Sequence, residues 1–225
     1  MQLILAAILS LLTHSTVACL GHVLSKRVID PTTGLNVTIG DSSPQPPATV
    51  GYNLNHFAIT VSNLTATLDF YTNALGFRHI FTAPVDDKHS ITYLGYPSGG
   101  RNGTGYQTAE EMARDMRNSE GLIEILESKS SDNYSDPVPT HGVGFSHLGF
   151  VVPNANDTQT RLEAWGAKIL KRLGEPFTKT AVSYYFGLPE SQFSEQQYTS
   201  FRGLFLDFLL VLDPSGFLLE IQSQY

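Results

Sequence analysis

The feature that most constrains the fold of this chain is a sequence pattern that occurs twice. The segment HFAITV at 56–61 is echoed by HLGFVV at 147–152, and GLIEIL at 121–126 is echoed by GFLLEI at 216–221. Each copy opens with a histidine at the head of an apolar strand and closes with a glutamate inside another apolar strand. A repeat of this kind indicates two similar modules that stack or pair.

Four ionisable residues occupy equivalent places in the two copies: His56 and Glu124 in the first, His147 and Glu220 in the second. An ionisable side chain in an apolar strand is costly unless another group pairs with it. Taken singly, a strand histidine is usually a hydrogen-bonded core residue, and a glutamate near the C-terminus is often solvated. Because the placement occurs twice, we predict that the four side chains bind one shared metal ion. Two imidazoles and two carboxylates suit a divalent ion of borderline softness.

Module one is predicted to span residues 52–130 in the order βαβββ. Its first strand, at 54–61, alternates between apolar and polar residues. A helix capped by Asn63 or Thr65 follows and ends at Gly76. The remaining strands are predicted at 77–81, 90–96 and 122–126.

Module two is predicted to span residues 141–225 and to repeat this order. Its helix, at 157–165, is closed by Gly166, which matches the role of Gly76 in module one. Its strands are predicted at 145–152, 167–170, 204–212 and 217–221.

Two insertions interrupt the repeat. Residues 97–120 are polar and contain Thr108 and Glu111 in capping-box spacing, which predicts a short helix. Residues 173–203 are rich in Phe and Tyr. This second insertion is interpreted either as a partly packed surface excursion or as a lid over a substrate.

The N-terminus is typical of a secreted protein. Residues 1–18 resemble a signal peptide whose apolar run is too short to span a membrane. Residues 19–50 are predicted to form a flexible leader, with possible dibasic processing after Arg27. The lone cysteine, Cys19, excludes a disulfide within the mature chain. Five Asn-x-Ser/Thr triplets are glycosylation candidates, at Asn36, Asn63, Asn102, Asn133 and Asn156.

The overall charge narrows the class of partner. The formal net charge is −7 and no basic stripe is visible, which argues against nucleic acid as a partner. Hydrophobic residues make up 41% of the chain, which is ample for a folded core, and no run reaches the length of a membrane span. We therefore predict a small-molecule substrate and no membrane association after signal removal.

The segments LNHFAITVSNLTATLDFYTNALGF, GLIEIL, GVGFSHLGFVVPN and DPSGFLLEI resemble the vicinal-oxygen-chelate superfamily, and within it glyoxalase I, the lactoylglutathione lyases. The resemblance implies an α+β fold in which two βαβββ modules form a cupped mixed sheet around a metal. It also implies that His56, Glu124, His147 and Glu220 bind one divalent metal ion, zinc, nickel or cobalt. The site can close within one chain or across a homodimer, and the sequence leaves both open.

The resemblance further implies a reaction. A metal of this kind stabilises an enediolate formed when a carbon-bound proton leaves the substrate. By resemblance, Glu220 is the leading base for this proton and Glu124 the second candidate. Strand parity agrees, because Glu124 shares a face with Leu122 and Leu126.

The substrate is less well defined than the chemistry. Members that use glutathione place Arg, Asn and Arg at the positions of Thr60, Ser128 and Val143, where they bind the carboxylates of the tripeptide. The candidates are therefore a hemithioacetal of methylglyoxal or a related α-dicarbonyl or α-hydroxycarbonyl compound.

Two other functions are compatible with this fold. One is a non-catalytic protein that binds small molecules, although such relatives commonly lack some of the four ligands. The other is an epimerase of the superfamily, which would exchange a proton at a chiral centre without net isomerisation.

Overall fold

The computed structural model describes residues 27–29, 36–40, 43–98, 106–129 and 144–224. The chain divides into two compact units, 1–50 and 51–225. In the first unit, β1 (Arg27–Ile29) pairs antiparallel with β2 (Asn36–Thr38), so the predicted leader contains a short pair of strands. The predicted signal peptide and Cys19 lie outside the described residues and stay predictions.

The second unit begins with the first βαβββ module. Its sheet has the order β3-β6-β5-β4, with β3 parallel to β6 and the other neighbours antiparallel. Its elements are β3 (His56–Val61), α1 (Leu64–Asp69) with a π-helical turn (Phe70–Ala74), β4 (Arg78–Pro84), β5 (His89–Gly95), α2 (Ala109–Asp115) and β6 (Leu122–Ser128).

The second module repeats this topology. Its sheet has the order β7-β10-β9-β8, again with the first two strands parallel. Its elements are β7 (His147–Val152), α3 (Ala155–Trp165), β8 (Lys168–Lys171), α4 (Lys179–Phe186), α5 (Glu195–Phe201), β9 (Leu209–Leu212) and β10 (Leu218–Ser223). The prediction of an α+β fold with two βαβββ modules is confirmed.

Local sequence accounts for the helix boundaries. Asn63 caps α1 by accepting a hydrogen bond from the Ala66 amide at 3.0 Å, as predicted. Gly166 ends α3 in the left-handed conformation at φ 82°. The predicted capping box of Thr108 and Glu111 begins α2.

The strand predicted at 204–212 is wrong in its first half, since β9 begins only at Leu209. Phe205 has a positive φ of 53°, which is incompatible with a continuous strand. The carbonyls of Leu206 and Phe208 also accept hydrogen bonds from the buried Lys171 ammonium. These carbonyls are turned toward a side chain, so they are not available for a strand ladder.

The two modules share one hydrophobic core. Each sheet contributes the face opposite its predicted ligands: Ile59, Val61, Ile123 and Ile125 from module one, and Leu148, Leu219 and Ile221 from module two. A buried hydrogen bond links the modules, because the Tyr71 hydroxyl donates to Oδ2 of Asp213 at 3.0 Å. Among the described residues, no helix is long and apolar enough to cross a membrane.

Candidate active site

The two histidine–glutamate pairs occupy the same register positions in the two sheets. Each histidine lies opposite a leucine on the neighbouring strand, and each glutamate lies opposite a small residue. The opposed pairs are His56–Leu122, Ala58–Glu124, His147–Leu218 and Gly149–Glu220. This register puts the histidine and the glutamate of each module on one face, with space beside the carboxylate.

Both predicted pairs form at short range. Nε2 of His56 lies 3.3 Å from Oε2 of Glu124, and Nε2 of His147 lies 3.5 Å from Oε2 of Glu220. The side chains of His147 and Glu220 are 23% and 8% exposed, against 36% and 18% for His56 and Glu124. The second pair is therefore the more shielded from water.

Asn55 fixes the tautomer of His56. Its amide nitrogen donates to the carbonyls of Met116 and Ser119, both at 2.7 Å. Its oxygen is therefore the acceptor that lies 2.9 Å from Nδ1 of His56. The neutral imidazole then carries its proton on Nδ1, and Nε2 presents a lone pair toward Glu124.

Ser146 does the same for His147. Its hydroxyl donates to the carbonyl of Tyr185 at 2.5 Å, which uses its only proton. It must then accept from Nδ1 of His147, which lies 2.8 Å away. The neutral His147 imidazole then presents the lone pair of Nε2 toward Glu220.

The donor set fits a divalent cation. A lone pair that faces a carboxylate oxygen is stabilised when a cation lies between the two atoms. Histidine ligands of metals typically donate the other ring N–H to a protein acceptor, as both histidines do here. Imidazole nitrogen and carboxylate oxygen are ligands that zinc, nickel and cobalt accept.

The two pairs do not meet within one chain. Among the described residues, which include all four predicted ligands, no group of three or more His, Cys, Asp or Glu side chains is placed to hold a metal ion. The shared core explains this separation. The core-facing sides of both sheets pack in one cluster, so the two ligand-bearing faces are turned away from it.

Each glutamate also has a tyrosine beside it that sequence patterning did not assign to the site. The Tyr185 hydroxyl donates to Oε2 of Glu220 at 2.8 Å, and Tyr93 pairs with Glu124 across the sheet. Burial, followed by the neighbouring carboxylate, raises the pKa of both phenols above the usual value, so both stay protonated. Tyr93 lies directly opposite Glu124 in the sheet register. A prediction of how β5 pairs with β6 would therefore have placed Tyr93 at the site.

The remaining predicted residues are scattered. Asn63 and Asn156 are exposed, Asn36 lies in β2, and Asn102 and Asn133 lie outside the described residues. Glycosylation of all five stays a prediction. Of the positions that glutathione-using members occupy with Arg or Asn, Thr60 is exposed on β3, Ser128 ends β6, and Val143 lies outside the described residues.

A surface cavity of about 380 Å³ lies away from the ligand pairs. Its lining includes Phe70, Trp165, Lys168 and Asp213, and none of the four predicted ligands. We therefore place the candidate active site on the sheet faces that carry the four predicted ligands, and not in this cavity.

The two-module fold indicates a protein class, and the sequence comparison agrees. Residues 53–221 match the profile of the Glyoxalase/Bleomycin resistance protein/Dioxygenase superfamily. The chain belongs to this superfamily. The resemblance to glyoxalase I stated from sequence is confirmed.

Curated relatives allow a comparison with individual proteins of the superfamily. Lactoylglutathione lyase of Pseudomonas putida is 28% identical over 148 residues, which cover 63% of this chain and 83% of that protein. Lactoylglutathione lyase of Schizosaccharomyces pombe is 26% identical over 130 residues, which cover 55% of this chain and 40% of that protein. This chain therefore spans most of the bacterial relative and less than half of the yeast one.

Solved structures with a similar fold include glyoxalase I enzymes. The trypanothione-dependent glyoxalase I of Leishmania major has a TM-score of 0.47 and 16% identity, covering 77% of this chain and 88% of that one. Glyoxalase I of Zea mays has a TM-score of 0.45 and 18% identity, covering 75% of this chain and 43% of that one.

Proposed function

We propose that this protein is a metal-dependent lyase of glyoxalase I type that isomerises a hemithioacetal or a related α-hydroxycarbonyl compound. The observation that carries the proposal is the pair of histidines whose Nε2 atoms lie 3.3 and 3.5 Å from glutamate oxygens, once in each module. Superfamily membership and relatives named lactoylglutathione lyase support the same reaction class.

The four predicted ligands, His56, Glu124, His147 and Glu220, would hold a zinc, nickel or cobalt ion. When bound, such an ion stabilises the negative charge that develops on adjacent substrate oxygens as a carbon-bound proton leaves. Asn55 and Ser146 keep the two imidazoles in the tautomer that this role needs.

Glu220 is the base that we assign to the proton transfer. Its side chain is only 8% exposed, so water competes little for the proton that it carries. It removes the proton from one carbon and returns it to the neighbouring carbon, which completes the isomerisation. Glu124, at 18% exposure, is the second candidate.

A second copy of the chain completes the site. His56 and Glu124 of one copy then face His147 and Glu220 of the other. The support for this arrangement is the orientation of the two ligand faces, both of which are turned away from the core shared within one chain. A symmetric pair of copies would contain two complete sites.

The thiol part of the substrate that we propose carries no carboxylates. The four strands that carry the ligands read HFAITV, LIEILES, HLGFVV and LLEIQS, with no Lys or Arg among them. Recognition of substrate carboxylates requires paired cationic donors. A hemithioacetal of a neutral thiol therefore fits these strands better than a glutathione adduct.

Metal analysis and turnover of purified protein test the proposal. We expect bound zinc, nickel or cobalt, a lower melting temperature in chelator, and loss of turnover with the metal. Protein without metal, with a melting temperature that chelator does not change, would leave a non-catalytic small-molecule binder instead.

Substrate charge is tested in the same assay. Methylglyoxal is supplied with glutathione or with 2-mercaptoethanol, and product formation is followed by NMR. We expect kcat/KM to be at least as high for the adduct of the neutral thiol. A strong preference for the glutathione adduct would overturn the substrate class and leave the reaction in place.

A further inference from the structure

Tyr185 contacts both predicted ligands of the second module. Its hydroxyl donates to Oε2 of Glu220 at 2.8 Å, and its ring stacks on the His147 imidazole with centroids 4.8 Å apart. Its carbonyl accepts from Ser146, the residue that in turn accepts from Nδ1 of His147. The side chain and the backbone of one residue therefore both support this half of the site.

The helix that carries Tyr185 is held firmly over the ligand face. Thr178 caps α4, and Gly187 ends it at φ 65°. Ala181 and Val182 are buried against Leu210, Leu212 and Leu218. Leu218 shares the face of Glu220 on β10, so α4 packs on the sheet beside the carboxylate.

Aromatic side chains in the insertion and just after it pack against the Tyr185 ring. Phe177 lies edge-on to it at 5.6 Å between ring centroids, and Phe205 lies 6.2 Å away in a tilted arrangement. Such aromatic contacts favour one orientation of the ring. The hydroxyl is thereby aimed at Glu220 before any substrate binds.

The first module provides an internal comparison. There the tyrosine beside the glutamate is Tyr93, which lies opposite Glu124 in the sheet. The equivalent register position opposite Glu220 is Leu210, which has no hydroxyl. The insertion supplies through Tyr185 the contact that the second sheet itself lacks.

We propose that Tyr185 is a positioning residue that orients the Glu220 carboxylate, and that the insertion carrying it is an integral part of the active site. The hydroxyl holds Oε2 toward His147, which leaves Oε1 for proton transfer with the substrate. The ring stack and the Ser146 bridge hold the histidine against the same carboxylate. This inference rests on the proposed lyase function, in which Glu220 is the base.

Tyr185→Phe isolates the hydroxyl, because it keeps the ring and the backbone carbonyl. Tyr96→Phe is the matched control, since the Tyr96 hydroxyl also donates a hydrogen bond, to the Leu75 carbonyl at 2.8 Å, and lies outside the insertion. We expect Tyr185→Phe to lower kcat roughly tenfold or more with little change in KM, as for other residues that orient a reacting group. Tyr96→Phe should retain the wild-type kcat, and a wild-type kcat in Tyr185→Phe would overturn the proposal.

A second readout separates this inference from the proposed reaction. Cobalt(II)-loaded protein reports ligand geometry through its visible absorption, with or without turnover. If wild type turns over no hemithioacetal, but Tyr185→Phe alone shifts the cobalt spectrum, the positioning role stands and the proposed reaction falls. If wild type is active and Tyr185→Phe matches it in both kcat and spectrum, the positioning role falls and the reaction stands. A wild-type protein that binds no cobalt would overturn both.

Discussion

Each predicted histidine ligand is oriented by the polar residue that immediately precedes it in the chain. Asn55 accepts from Nδ1 of His56, and Ser146 accepts from Nδ1 of His147. Both partners are themselves anchored to backbone carbonyls, Asn55 through its amide and Ser146 through its hydroxyl. A neutral imidazole held in this way keeps Nε2 as an acceptor, which is the form that binds a metal.

Glu220→Gln tests the proposed base. The amide is nearly isosteric with the carboxylate, so the fold should be retained. Turnover should fall by at least about a hundredfold, because the amide cannot accept the substrate proton. Steady-state kinetics measure the change, and Glu124→Gln in parallel reports the second candidate. A wild-type rate in Glu220→Gln would show that another group removes the proton.

Asn55→Ala tests the support of His56. Loss of the amide frees the imidazole to adopt the other tautomer, and metal affinity should fall by about 10-fold to 100-fold. Titration with zinc against a competing chelator measures the effect.

Asn53→Ala is the matched control for Asn55→Ala. Asn53 also donates to the Ser119 carbonyl, at 3.2 Å, and its side chain is exposed. We expect its loss to leave metal affinity at the wild-type value. Equal losses in the two variants would assign the effect to the Ser119 turn and would contradict the tautomer argument.

At the scale of elements, a polar contact joins the helical part of module one to the turn before β10. The Asp213 carboxylate accepts from the amides of Ser215 and Phe217 at 2.9 and 2.8 Å, and from the Tyr71 hydroxyl at 3.0 Å. Asp213 is 5% exposed and Tyr71 is fully buried. Burial outweighs these hydrogen bonds and raises the pKa of Asp213 from its ordinary 3.8 to about 6.

This pKa predicts how stability depends on pH. A carboxyl whose pKa is higher in the folded chain favours folding when it is protonated. Its contribution is complete below about pH 4 and is lost as the pH rises through about 6. Relative to Asp213→Asn, the wild type should therefore lose up to roughly 3 kcal/mol of unfolding free energy between these limits. Urea denaturation of both proteins across this range measures the difference. Parallel curves for the two proteins would show that Asp213 does not titrate in this window.

At the scale of the whole molecule, the arrangement of the two sheets separates the ligand pairs. In the described part of the chain, fifteen buried residues from both modules form the shared core, so the back of each sheet is covered. The fronts carry the four predicted ligands, and exposed residues such as Thr60 and Val151 lie beside them. The ligand pairs can therefore be joined by another copy without disturbing this core.

Mixing two inactive variants tests this assembly. His56→Ala/Glu124→Ala lacks one half-site, and His147→Ala/Glu220→Ala lacks the other. If sites form between copies, a mixed pair contains one intact site, and an equimolar mixture should recover about a quarter of the wild-type activity. Activity is assayed after refolding the variants together. A mixture that stays inactive while the wild type is active would place the complete site within a single chain.

The sequence predicted the modules well because the patterns that define strands and helix ends involve residues that are neighbours in the chain. The alternation along 56–61 identified the face of His56, and the glycines at 76 and 166 identified the helix ends. These features depend on residue periodicity and turn conformation, which are local properties. The same reasoning failed at residues 204–208, where hydrogen bonds from the distant Lys171 ammonium hold carbonyls out of a strand.

The amino-acid sequence by itself determined the two-module fold and the identity of the four candidate ligands, since each depends on a short pattern that occurs twice. Only the tertiary structure decided which groups surround those ligands. Tyr93 reaches Glu124 across a sheet, and Tyr185 reaches Glu220 from an insertion. The separation of the two ligand pairs was likewise decided by packing, because the backs of the two sheets bury the same apolar core. Contacts between residues far apart in the chain have no local signature, so folding alone brings them together.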